Sequence, residues 1–107
     1  MTEKTVRFVR LGKVTDIPEG RPETFEIEDR HIAVYRLDDG YYAIEDTCTH
    51  DGGPLAEGTI EGEVIECPRH GARFDIRSGA VLSMPATSPV TTYPVRVAGG
   101  EIQVDLS

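Results

Sequence analysis

Apolar and polar residues alternate in short runs along most of the chain, and no stretch repeats apolar residues at the spacing of a long amphipathic helix. Thr5 to Leu11, with Val6, Phe8 and Val9, reads as a strand. Asp16-Ile17-Pro18-Glu19-Gly20 reads as a turn or short connector; Asp16 is placed to cap a helical turn, and Pro18 and Gly20 exclude a long one. Thr24 to Ile27 alternates, Glu28-Asp29 reverses the chain, and His31 to Leu37 returns it with Ile32 and Val34 on one face. Asp39-Gly40 is a hairpin signal before Tyr41 to Ile44, which completes a β-meander. Further on, Ala56 to Gly62 reads as a polar turn, Glu63 to Glu66 as a strand, and Arg73 to Ile76 as another, with a turn at Ser78-Gly79 before Val81. Pro94 interrupts the strand Thr91 to Val97 and marks it as an edge. Ala98-Gly99-Gly100 then turns into the alternating run Glu101 to Leu106, a closing hairpin. Short strands, frequent turns and no helical period predict an all-β sandwich or barrel of short antiparallel strands.

Composition sharpens this picture. At 107 residues, 38% of them apolar and none of them Trp, the chain is expected to form one domain over residues 1–107 with a modest core. A net charge of −8 argues against nucleic acid and anionic membrane as partners. The acidic surface serves either solubility or docking of basic partners. Met1-Thr2-Glu3-Lys4 has no apolar run behind it, so no signal peptide, membrane anchor or membrane partner is expected. Two cysteines in all suit a reducing cytoplasm when they are committed to a metal.

Those two cysteines organise the chain. Cys48-Thr49-His50 and Cys67-Pro68-Arg69-His70 hold both of them and two of the three histidines, separated by sixteen residues. Each pair lies in turn composition: Asp51-Gly52-Gly53-Pro54 follows the first, and Pro68 and Gly71 flank the second. A thiolate and an imidazole so close in sequence can reach one metal centre together. Two of each suit zinc or an iron–sulfur cluster. A disulfide between the cysteines would leave the adjacent histidines unexplained. Structural zinc sites commonly pair Cys with Cys and His with His, the second pair on a helix, and Cys67-Pro-Arg-His70-Gly is a poor helix. His31 opens a strand with no Cys or carboxylate pattern near it and is expected to be a surface or edge residue.

The segment resembles the Rieske iron–sulfur family. The C-x-H and C-x-x-H pairs, Gly53-Pro54-Leu55 after the first, Pro68 and Gly71 around the second, and Phe74-Asp75 and Gly79 beyond carry the likeness, which spans roughly residues 41–106. The resemblance implies a Rieske-type fold with two cluster-binding loops. It implies one [2Fe–2S] cluster per chain, with Cys48 and Cys67 on the inner iron and His50 and His70 on the outer, surface-facing one. An oxidised core of charge +2 with two thiolates is about neutral, so it accepts an electron more readily than a four-thiolate site. Backbone N–H groups of the glycine-rich loops are expected to donate to sulfur, and Met84 to Pro89 to lie across the loops. Arg69 and Arg73 could add positive potential or docking contacts, solvation being their plain role.

The implied function is that of a soluble, monomeric Rieske-type ferredoxin. It would carry single electrons from a flavin-dependent reductase to a terminal oxygenase, like the ferredoxin components of bacterial aromatic-ring dioxygenases. The alternatives are a small subunit of a larger oxidoreductase, similar to that of nitrite reductase, and a zinc-stabilised interaction module. A mononuclear iron site of two His and a carboxylate does not fit, because only His31 is left over, so the chain is not expected to be the oxygen-activating enzyme. High-potential family members carry an extra cysteine in each loop and two hydroxyl residues after the second. Here no spare cysteine exists, and Ala72 and Phe74 stand at the hydroxyl positions. A midpoint in the lowest third of the family span of roughly −150 to +300 mV is expected, flat around neutral pH and sloping down only in alkali.

Overall fold

The computed structural model describes residues 6–49, 52–68, 71–84 and 88–107. Eleven strands build three antiparallel sheets among these residues. They are β1 Phe8–Lys13, β2 Glu23–Ile27, β3 Arg30–Leu37, β4 Gly40–Glu45, β5 Thr59–Glu61, β6 Val64–Glu66, β7 Arg73–Asp75, β8 Val81–Ser83, β9 Thr92–Tyr93, β10 Val95–Ala98 and β11 Glu101–Asp105. The base sheet has the order β2-β3-β4-β9, the loop-bearing sheet β5-β6-β7-β8, and the closing sheet β1-β11-β10. The all-β expectation therefore holds.

The base sheet is covered on both faces. In β3, Ile32, Ala33, Val34 and Tyr35 are all buried, as a strand lying between two layers requires. Alternation sends Ile32 and Val34 into one core with Ile102, Val104 and Leu106 from the end of the chain. It sends Ala33 and Tyr35 into the other, with Ile65, Phe74 and Ile76 of the loop-bearing half. Each fully buried side chain of this kind stabilises the fold by about 1.5–3 kcal/mol.

Several turns lie where the sequence places them, and some differ. Glu28 and Asp29 both take positive φ, 51° and 65°, and join β2 to β3 in a two-residue hairpin. The β3–β4 loop is Asp38-Asp39 rather than Asp39-Gly40, because Gly40 already pairs with Leu37. Asp16 does not start a helical turn. It ends the 3-10 turn Val14–Asp16, and its carboxylate accepts the Lys13 N–H at 3.0 Å. The stretch read as a polar turn at 56–62 contains β5, whose three residues are too few to show a period.

Pro94 has the largest consequence. The strand read across it is two strands in two sheets, β9 at the edge of the base and β10 at the edge of the closing sheet. Lacking an N–H, Pro94 cannot continue a ladder, and the chain changes sheet there.

Candidate metal centre

Cys48 lies just beyond β4, and Cys67 directly follows β6. The two halves of the predicted centre thus hang from different sheets, one from the base and one from the loop-bearing layer. Both cysteines are 1% exposed and share one core with Leu55, Ala72, Phe74 and Tyr35. No disulfide joins them. His50 and His70 lie outside the described residues, as do Arg69 and residues 85–87. Among the described residues no group of three or more His, Cys, Asp or Glu could hold a metal.

The two loops use one backbone device. The Cys48 N–H donates to the Gly53 carbonyl at 2.7 Å, and the Cys67 N–H to the Ala72 carbonyl at 2.7 Å. Gly52 N–H closes back on the Cys48 carbonyl at 2.7 Å, and Gly71 N–H on the Cys67 carbonyl at 3.2 Å. Gly52 and Gly71 both have φ +76°, with open space where a Cβ would go, so the requirement for glycine is the left-handed backbone and not crowding. The loops therefore correspond at the Cys, at the Gly four residues beyond it and at the carbonyl five residues beyond it. Against that frame the sequence puts His50 at the third loop position and His70 at the fourth. Reading C-x-H against C-x-x-H hides this equivalence. The signal that reveals it is the Cys-x-x-x-Gly spacing common to both loops.

The amides of Cys48, Gly52, Cys67 and Gly71 donate to carbonyls inside the loops. Ala72 and Phe74, both fully buried beside the cysteines, bring no hydroxyl.

The first loop is tied down on both sides. Asp46 accepts the Ala56 N–H at 2.7 Å, and the Thr49 hydroxyl donates to the Ser88 carbonyl at 2.6 Å. Ser88 thus brings the C-terminal end of the 84–89 segment against the loop, while Met84 at its other end is exposed. Arg73 is a strand residue whose Nε donates to Glu66 at 2.9 Å, with Glu61 3.7 Å away. Its pKa is raised, chiefly by the Glu66 hydrogen bond, so its charge is already matched. His31 is exposed, 3.7 Å from Glu26, as a surface histidine should be. The Tyr35 hydroxyl is buried without a hydrogen-bond partner among the described residues, and burial, then the charge of Asp46, raises its pKa.

Two buried cysteines, at equivalent places in matched loops and not oxidised to each other, suit a group bridged between two thiolates. A model of the Rieske [2Fe-2S] domain matches residues 7–94. The chain belongs to the Rieske [2Fe–2S] family. Its cofactor is accordingly one Rieske-type [2Fe–2S] cluster, which sets aside the zinc and disulfide readings.

The chain is 38% identical, over all of both sequences, to the ferredoxin component of the naphthalene 1,2-dioxygenase system of Pseudomonas aeruginosa. Among solved structures it is similar to the Sphingomonas yanoikuyae B1 ferredoxin, with a TM-score of 0.89 and 34% identity over 94% of this chain and 100% of that one. It is also similar to a chain in the complex of reduced oxygenase and oxidised ferredoxin of carbazole 1,9a-dioxygenase. There the TM-score is 0.83 and the identity 39%, over 90% of this chain and 99% of that one. Among the described residues of this Rieske protein, no helix is long and apolar enough to cross a membrane.

Proposed function

We propose that this Rieske protein is a one-electron carrier between a flavin-dependent reductase and a terminal oxygenase, working in the cytoplasm as a single 107-residue domain. The observation that carries the reading is the pair of matched loops, each presenting one buried cysteine to the same core. The named relatives, ferredoxin components of dioxygenase systems, supply the direction of electron flow. Cys48 and Cys67 as thiolates, and His50 and His70 through neutral imidazole nitrogens, would hold the cluster. When bound, the cluster takes up one electron and gives one up. The core around the cysteines excludes water from the thiolates, and the left-handed glycines close each loop back on its own cysteine. The histidine edge is the exit to a docked partner, and the acidic surface steers a basic one.

The test is spectroscopic and then kinetic. Wild-type holoprotein should show the visible spectrum of a cluster and an electron paramagnetic resonance signal on reduction. Changing His50 or His70 should abolish both, and His31→Ala should leave both intact. Loss of the cluster in His31→Ala overturns the ligand set. Reconstituted with a flavin reductase and an aromatic-ring oxygenase, the protein should support NADH-dependent turnover at a rate that falls as salt is raised. Absence of turnover with every such pair would remove the oxygenase-coupled role.

A further inference from the structure

Cys48 rides on the base sheet and Cys67 on the loop-bearing sheet, so the span between them depends on how the two sheets are held together. Among the described residues, a side-chain device joins the turns of those sheets away from the loops, beside the backbone bond from the Val90 N–H to the Gly79 carbonyl at 2.9 Å. Arg77, in the β7–β8 turn of the loop-bearing sheet, donates through Nη2 to Asp39 at 2.9 Å, in the β3–β4 turn of the base. Its Nη1 pairs with Glu63, in the β5–β6 turn. The guanidinium lies over the Tyr42 ring of β4, 5.4 Å from the centroid. The Arg77 side chain is only 28% exposed, against 57% for Asp39, so the head is held rather than waving in solvent.

The position of this clamp matters. Asp39 and Cys48 flank opposite ends of β4, and Glu63 and Cys67 flank opposite ends of β6. Six residues of β4 span about 20 Å. A tie at one end of two stacked sheets limits their rotation about each other, and rotation is the motion that would change the Cys48–Cys67 span most. We propose that Arg77 is a positioning residue for the cluster, clamping the base and loop-bearing sheets so that the two cysteine loops keep their separation. The proposal rests on the assignment of Cys48 and Cys67 as ligands on the two loops.

The experiment compares holoprotein variants by three readouts: iron released to a chelator under native conditions, linewidth of the reduced-state paramagnetic resonance signal, and denaturation midpoint. Arg77→Met keeps the apolar stem and removes the charge; Asp39→Asn weakens the tie from the other sheet. Arg7→Met is the control, because it breaks a bidentate pair with Glu28 that does not touch the loop-bearing sheet. Arg77→Met and Asp39→Asn should release iron about two- to fivefold faster, the range an exposed ion pair can supply. Their signals should broaden, and Arg77→Lys should recover part of both effects. Arg7→Met should lower the denaturation midpoint with wild-type iron release. Release at the wild-type rate in Arg77→Met overturns the proposal. So does equally fast release in Arg7→Met at a matched midpoint, since global stability alone would then explain it. If Arg77→Met does not fold, Asp39→Asn decides by the same rates. A failed ligand assignment looks different: Cys48→Ser or Cys67→Ser would then retain the cluster.

Discussion

The half built from the closing and base sheets and the half built from the loop-bearing sheet stand on different footings. The first has strands of up to eight residues and a core of its own around Ile32, Val34, Ile102 and Val104. The second has four strands of three residues each, and its core includes both cysteines. Three-residue strands offer few ladder bonds, so the loop-bearing half draws its order from side-chain burial and from what the cysteines bind. The difference predicts that the order of the loop-bearing half depends on the cofactor more than the order of the half with its own core does.

The most severe way to break this comparison is to remove a ligand. Cys48→Ser or Cys67→Ser should abolish the visible cluster spectrum and cost several kcal/mol of stability. Hydrogen exchange should show protection lost in β5 to β8 and kept in β3 and β11. Uniform loss of protection would mean that the two halves fold as one.

Cavities come next in size. Ile65→Ala and Ile102→Ala each remove a fully buried side chain and should each cost about 2–5 kcal/mol. Only Ile65→Ala, in the core that holds the cysteines, should also speed loss of the cluster. Equal cluster loss in both would erase the distinction.

A single donor sharpens it further. Phe74 is fully buried in the same core as both cysteines. Phe74→Tyr should raise the midpoint by about 60 mV, the equivalent of a tenfold shift for one electron, if the new hydroxyl bonds cluster sulfur. The wild-type midpoint should lie in the lowest third of the roughly −150 to +300 mV family span. Voltammetry reads both, and a wild-type value above about +150 mV would sink the argument from missing hydroxyls.

The smallest effect concerns Tyr35, which packs in the core of the loop-bearing half and whose hydroxyl has no hydrogen-bond partner among the described residues. Tyr35→Phe should leave stability at pH 7 unchanged or raise it by about 1 kcal/mol, because no bond is lost. Burial raises the phenol pKa of the folded state above the ordinary value of 10.0. The unfolded chain therefore loses its proton first as pH passes 10, and folding stability falls from there by about 1.4 kcal/mol per pH unit. Denaturation of wild type and Tyr35→Phe across pH 9–11 should diverge only above pH 10. Parallel curves would mean that the hydroxyl is solvated.

Much of this was legible in the residues themselves. The strand periods of the base sheet, the Glu28-Asp29 and Gly99-Gly100 turns and the absence of a long helix among the described residues all follow from local chemistry, because turn dihedrals and side-chain alternation are decided within a few residues. The chemistry of the site was legible too, since Cys and His at short spacing in glycine-rich turns select their ligand type wherever the chain carries them. The sequence did not reveal β5, since three residues show no period. Nor did it reveal that β9 and β10 belong to different sheets; Pro94 announces a break but not the direction taken after it. Tertiary structure alone buried the cysteines in one core and set Arg77 against Asp39 across 38 residues of chain. Those contacts depend on which faces stack, and stacking is a competition among burial surfaces of the whole molecule that no short stretch encodes.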